Sequence, residues 1–288
     1  MLLFMRLLSL IQYALLILVL TGLPRPVYAF EPLNTDDAGT IGKSVNQIEQ
    51  YFYVLHNNTP GNPGSVATPG EEFRGLGNAK AFPFTYTHGL SDTTEIAFAT
   101  TYYATPRGSY SPFSNNIVSF KWRFWGDGQT GLGMAIKPAI TLPASTSQQV
   151  QGLGLAKTNY EFNYILSYYW ERIQVHTNIS YARNPYNTNY PISGTYSPYQ
   201  INLVSASIAP VWIVNSWLKL ALDIGSSIDT STDAAAVNDY GMVAAIFSVD
   251  KNIDVGFSYL QSSTTPNNAW TSKGIVSNRT EIGVTWRF

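Results

Sequence analysis

Apolar and polar residues alternate with a period of two through most of the chain after residue 45, and no helical periodicity of 3.6 residues runs through that span. The last residues show the pattern most cleanly. In TEIGVTWRF, Ile282, Val284, Trp286 and Phe288 share one face and Glu281, Gly283, Thr285 and Arg287 share the other. The alternation predicts twelve strands, at 46–57, 79–89, 94–105, 115–125, 130–141, 159–170, 173–184, 199–212, 216–228, 238–248, 252–262 and 278–288. Their lengths lie close to the ~9–11 residues that a tilted strand needs to cross a bilayer.

The connections predicted between these strands alternate in length. Those at 58–78, 106–114, 142–158, 185–198, 229–237 and 263–277 are medium or long, and the intervening ones at 90–93, 126–129, 171–172, 213–215 and 249–251 are short. A water-soluble sandwich has no reason to keep this rhythm. A barrel in an outer membrane does, because short turns face the periplasm and long loops face outward. The predicted fold is therefore all-β, a transmembrane antiparallel β-barrel of about 12 strands. An even count puts both strand termini on the periplasmic side, where Phe288 ends a last strand that closes on the first and leaves no open edge in lipid.

Composition supports the membrane reading. Charged residues make up 12% of the chain, against roughly 25% in ordinary soluble domains, and aromatics reach 14% with 19 Tyr. Residues 1–29 carry one early cation, Arg6, an apolar run from Leu7 to Leu23, the breakers Gly22, Pro24 and Pro26, and a small-residue site at Val27-Tyr28-Ala29. They read as a cleaved export signal, with an anchoring helix as the competing reading. Residues 30–45 form a periplasmic segment or partial plug, and 46–288 the barrel. Removing Arg6 and Arg25 with the signal leaves 15 basic against 18 acidic residues, a net charge of -3 that gives no basis for a nucleic-acid partner. With no Cys there are no disulfides, lipid-anchored cysteine or metal-thiolate sites.

The alternation sorts the side chains. Tyr160, Phe162, Tyr164, Leu166, Tyr168 and Trp170 share the lipid face of one strand, and Val118, Phe120, Trp122 and Phe124 that of another. The facing set predicts a lumen lined by Glu49, Glu95, Glu161, Asp223, Asp239, Asp254, Glu281, Lys121, Arg123, Lys137, Lys219, Arg279, Arg287 and His176. These charges either line a selective aqueous path or pair across neighbouring strands and fill a narrow barrel. Asp36 and Asp37 precede the first strand. They form a solvated turn, plug the lumen by pairing with inward Lys and Arg, or bind Ca²⁺. Pro83, Pro138 and Pro210 fall inside strands, where each calls for a bulge or a rim position. For Pro83, in KAFPFTYTH, a second reading is a local opening of the wall that lets an apolar solute out sideways; a continuous ladder across Phe82 to Phe84 would exclude it.

Catalysis finds little support. His176 and Ser180 are too far apart along one strand to bond, and His88 and Ser91 flank a turn. Phosphate loops, nucleotide motifs and paired metal ligands are absent from the sequence, so no enzyme activity, cofactor or metal is expected. A lipid-modifying hydrolase built on His176 is the weakest reading. The stretch NTDDAGTIGKSVNQIEQYFYV resembles the N-terminal signature of the family named for the MetA pathway of phenol degradation, an outer-membrane transporter group. Thr35, Asp36, Asp37, Ala38, Gly39 and Thr40 match, as do Gln47, Glu49, Tyr51 and Phe52. The resemblance implies a barrel that passes small solutes, aromatic ones included. Phe288 is similar to the C-terminal aromatic signal read by the barrel-assembly machinery. The expected partners are outer-membrane lipid, that machinery and a small solute. The alternative is a non-conducting barrel that either supports the membrane structurally or binds something outside through its outer loops at 58–78 and 263–277.

Overall fold

The structure, a computed structural model, describes residues 32–57, 79–190, 202–230, 236–266 and 275–288. The predicted export signal and the predicted loop at 58–78 lie outside the described residues, as do parts of the predicted loops at 185–198, 229–237 and 263–277. The twelve strands are β1 (Asn46–Asn57), β2 (Ala79–Gly89), β3 (Thr94–Thr105), β4 (Ile117–Trp125), β5 (Gly131–Thr141), β6 (Asn159–Tyr169), β7 (Ile173–Arg183), β8 (Asn202–Asn215), β9 (Leu218–Asp229), β10 (Ala236–Ser248), β11 (Ile253–Pro266) and β12 (Ile275–Arg287). Each pairs with its sequence neighbours, and β12 closes on β1 from Gln47↔Arg287 to Asn57↔Ser277. Phe288 extends that seam: its N–H donates to the Asn46 carbonyl at 3.0 Å and its carbonyl accepts from Asn46 N–H at 2.9 Å.

Closure follows from the residues. Backbone polar groups have no water to bond in hydrocarbon, so each strand takes its partners from both neighbours. The outward positions form an apolar belt of exposed Phe82, Phe98, Leu222, Ile224, Val243 and Ile282, among others. Six of the 7 tryptophans lie on the outside at the short-turn end: Trp122, Trp125, Trp170, Trp212, Trp217 and Trp286, all exposed. Indole rings at that level match the membrane–water boundary, where an apolar ring with one polar edge is best accommodated. The short turns are self-capped. In the β4–β5 turn the Asp127 carboxylate accepts from the Thr130 hydroxyl at 2.6 Å and from the Thr130 and Gln129 N–H groups at 2.7 Å each. Those bonds, the Thr130 hydroxyl foremost, hold its carboxyl below the usual range.

Three expectations need correction. Asp239 faces outward, because Tyr240, Met242 and Ala244 occupy the inward positions of β10 and alternation leaves Asp239 exposed with Val243. It lies close to the long-loop end of its strand, so the charge sits near the rim instead of at mid-depth. The loop at 142–158 contains one helix, α1 (Thr146–Val150), too short to leave a periodic signature; Ser145 and Gln148 form a capping box at its start. The strand prolines lie on no bulge. The β1–β2 register is constant, yet pairing stops at Gln50↔Phe84 and resumes at Tyr53↔Ala81. The same two-row break faces Pro138, between Ser119↔Ala139 and Trp122↔Ile136, and Pro210, between Ile208↔Ile224 and Val211↔Ala221. Proline removes an N–H without adding a residue, so the ladder loses bonds while the register holds. The register shifts that do occur lie at Lys80/Ala81, Arg123/Trp125 and Ile213/Asn215.

Candidate functional site: the lumen and the segment that crosses it

Residues 32–45 run inside the barrel and bond to its wall on many sides. Asp223, on β9, is fully buried and receives the start of the segment. Its Oδ2 accepts from the Asn34 and Thr35 N–H groups at 2.8 Å each, and its Oδ1 accepts from Thr35 Oγ1 at 2.7 Å and from the Tyr240 hydroxyl at 2.8 Å. Thr35 Oγ1 also lies 2.8 Å from Ser207 Oγ on β8, and Arg279 of β12 donates to Asn34 Oδ1 at 3.1 Å. A buried carboxylate is tolerable when several donors satisfy it, and here three of the four come from the segment.

The segment then crosses to β3–β7. Asp36 bonds Lys137 at 2.6 Å and Lys121 at 3.2 Å, from one carboxylate oxygen each. Lys121 is also 3.3 Å from Glu95, 3.9 Å from Asp37 and 3.2 Å from the Gly39 carbonyl. Its side chain is only 4% exposed, so the ammonium is held by three carboxylates and a carbonyl in place of water. The Asn178 amide, oriented by its hydrogen-bonding surroundings, donates to the Asp36 carbonyl at 2.9 Å and accepts from the Asp36 N–H at 2.8 Å. Ala38 N–H donates to Ser167 Oγ at 2.8 Å, Ile41 N–H to Glu95 Oε2 at 2.8 Å, and Thr40 Oγ1 to the Asp92 carbonyl at 2.7 Å. Arg123 donates to that same carbonyl at 2.6 Å. The segment leaves the lumen where Gly42 presses on Gly89; a Cβ at Gly89 would lie 1.7 Å from the Gly42 oxygen, so only glycine fits.

From the other end, the loop at 142–158 folds against the barrel mouth. Leu153 is fully buried among Tyr53, Leu55, Ala79, Ala81 and Tyr103 of β1–β3. Gln149, also fully buried, accepts from Ala156 N–H at 2.9 Å and Asn187 N–H at 3.0 Å, and donates to the Asn187 and Tyr190 carbonyls, tying this loop to the one after β7. Between the segment and the barrel wall lies a cavity of about 370 Å³. One wall is built of small residues, Pro83, Ala97, Ala99, Ile117 and Ala139 of β2–β5 interleaved with Thr85, Thr101 and Ser119. Exposed Glu161 and half-exposed Lys137 stand beside it.

Proteins of known structure share this arrangement of strands. An outer membrane channel from Pseudomonas putida F1 superimposes with a TM-score of 0.59 at 11% identity, over 88% of this chain and 98% of that one. The NanC porin superimposes with a TM-score of 0.51 at 11% identity, over 84% of this chain and 99% of that one. No known protein family and no curated protein matches the sequence. At such identities the likeness is one of fold.

The predicted lumen residues take four kinds of position. Glu49, Glu95, Lys121, Lys137, Glu161, His176, Arg279 and Glu281 line the cavity together with Asp36 and Asp37. Arg287, Asp254, Lys219 and Arg123 face inward nearer the short turns. There Arg287 is 2.8 Å from Asp254 and donates to Gln47 Oε1 at 2.8 Å, and Ser248 Oγ donates to Asp254 at 2.6 Å. Asp223 lies under the segment, and Asp239 lies outside. Arg279 and Glu281 pair at 3.4 Å on β12 itself. His176 meets a serine that sequence reasoning missed: its Nδ1 is 2.9 Å from Ser167 Oγ, directly opposite on β6. Ser167 has no exposed surface and its oxygen already accepts from Ala38 N–H, so the pair holds the segment and offers no open nucleophile. Among the described residues no group of three or more His, Asp or Glu is gathered as metal ligands. Ser207 and Asn178 also bind the segment, and Tyr240 supports Asp223 beneath it; none of these was anticipated, and for the anchoring residue Thr35 only the TDDAGT stretch gave a signal.

Proposed function

We propose that this chain is a passive channel of an outer membrane for small solutes, with residues 32–45 acting as a lumen plug that leaves one side of the pore open. The cavity between the segment and the β2–β5 wall carries this reading. Six carboxylates (Asp36, Asp37, Glu49, Glu95, Glu161 and Glu281) line it against three cations (Lys121, Lys137 and Arg279), so the path disfavours anions. The wall of small residues suits an uncharged aromatic or aliphatic solute, as does the likeness of the first mature residues to the phenol-degradation group. Export by residues 1–29 and assembly through Phe288 belong to the same reading. The two solved channels with this fold are named as a channel and a porin, which supports it at the level of class.

The test is single-channel recording of the refolded mature chain in a planar bilayer, with and without small phenols. Discrete cation-preferring steps that phenol blocks are the expected result. A silent bilayer from a folded barrel would overturn conduction. The dense ion pairs around Lys121 favour that closed form as the second reading, with the outer loops as its binding surface.

A further inference from the structure

The break in the β1–β2 ladder differs from the other two. At Pro138 the lumen side is held by the Lys121, Lys137 and Asp36 ion pairs, and at Pro210 by Asp223 and the segment bound to it. At Pro83 the lumen side opens on the cavity, which Pro83 and Tyr53 both line. The Tyr51 ring does not cover this seam. It leans the other way, over β12 and β11, where a Cβ at Gly283 would be 2.1 Å from Tyr51 Cγ and one at Gly256 would be 2.7 Å from its hydroxyl oxygen.

The closure lies on the lipid side and is made by a side chain. Gln50 is exposed on the outer face, an amide among apolar neighbours such as Ile48 and Phe84. Its Nε2 donates to the Pro83 carbonyl at 2.9 Å and to the Tyr51 carbonyl at 3.1 Å. An ordinary residue at position 83 would offer its own N–H across this row; proline has none, and the Gln50 amide stands in. Beyond it, Phe52 and Phe82 face each other with ring centroids 4.9 Å apart. One rotatable amide and one aromatic pair thus stand where the proline leaves the β1–β2 ladder without its N–H. The ladder across Phe82 to Phe84 is continuous on the β3 side only, through Phe82↔Tyr102, Pro83↔Thr101 and Phe84↔Thr100, and is interrupted on the β1 side, so β2 stays anchored to β3 while its β1 edge can part.

We infer that this seam is a lateral port, through which an uncharged apolar solute leaves the cavity for the bilayer, with Gln50 as its latch. The solute class follows from the path: Pro83, Ala97, Ala99 and Ile117 on the inside, with only the hydroxyls of Thr85 and Thr101 among them, and phenyl rings on the outside, with no charge between. The inference rests on the reading of the chain as a solute channel. Two variants close the seam by different means. Pro83→Val restores the N–H, and the pair Phe52→Cys with Phe82→Cys places two thiols at facing positions, where a disulfide bridges neighbouring strands. Initial uptake of labelled toluene is measured in whole cells exporting the full chain, and ion conductance is measured on the same purified proteins. The expected result is at least a fivefold loss of toluene uptake in Pro83→Val and in the oxidised double variant, restored in the latter by a reductant, with conductance within twofold of the parent. Unchanged uptake in both variants would overturn the port. So would parent cells that take up no more toluene than cells lacking the chain. Conductance then separates the two ideas: currents without toluene uptake leave the channel standing and remove the port, whereas silence in both assays removes both.

Discussion

Asp223→Ala is the most informative single change. The carboxylate accepts three hydrogen bonds from the N-terminal segment, two from main-chain N–H groups and one from Thr35 Oγ1. Removing it leaves those donors facing a methyl group while the segment is seated, but lets them find water once it leaves. The net loss is about 1–1.5 kcal/mol per bond, hence about 3–4.5 kcal/mol for the three. At roughly 1.4 kcal/mol per decade, the ratio of seated to released segment falls by about two to three powers of ten. Barrel stability itself should change little, because the β8–β9 and β9–β10 ladders do not depend on this side chain. In a planar bilayer the variant should show larger steps with added flicker, and limited proteolysis should cut it near residue 35 faster than the parent. Steps and cleavage rates equal to the parent's would show that the three bonds do not hold the segment, and the reasoning would fail.

Lys137→Gln and Glu161→Gln should move ion selectivity in opposite directions, the first toward cations and the second away from them, by about 1 kcal/mol or roughly fivefold at most, read as a shift in reversal potential under a salt gradient. Val243→Arg places a cation one residue from the middle of β10 on the lipid face and should cost about 2–4 kcal/mol in refolding titrations, whereas the same change at the rim position Asp239 should cost far less. Gly283→Ala should destabilise the barrel by about 1–3 kcal/mol, visible as a lower unfolding midpoint, because its Cβ would enter the Tyr51 ring.

The barrel was legible because its physics is local. Period two shows in any ten residues, and the contrast between Glu161 and Phe162 needs no knowledge of distant strands. The plug was not legible to the same degree. Asp36 reads equally as a turn residue, a plug or a metal ligand until Lys121 and Lys137 are known to stand beside it, 85 and 101 positions away. Asp223 was legible as an inward charge, but its partner Thr35 lies 188 residues distant, and no local pattern links them. Asp239 went wrong for the reverse reason: its charge was weighed above the alternation of its own strand, which Tyr240 and Met242 settle. Of the two readings of the strand prolines, bulge or rim position, the bulge fails; a missing bond and an extra residue leave the same mark in a sequence.

The six exposed indoles at the short-turn end also fix how the molecule rides in its bilayer. Anchors concentrated in one leaflet set the depth of the barrel from that side alone. A change in thickness of the opposite leaflet is then taken up at the loop end, where the outward rim carries tyrosine and phenylalanine such as Tyr160, Tyr181 and Phe113. The wall at Pro83 keeps its height above the anchored leaflet whatever happens above it, as do the ion pairs around Lys121, while the long loops rise and fall with the outer surface.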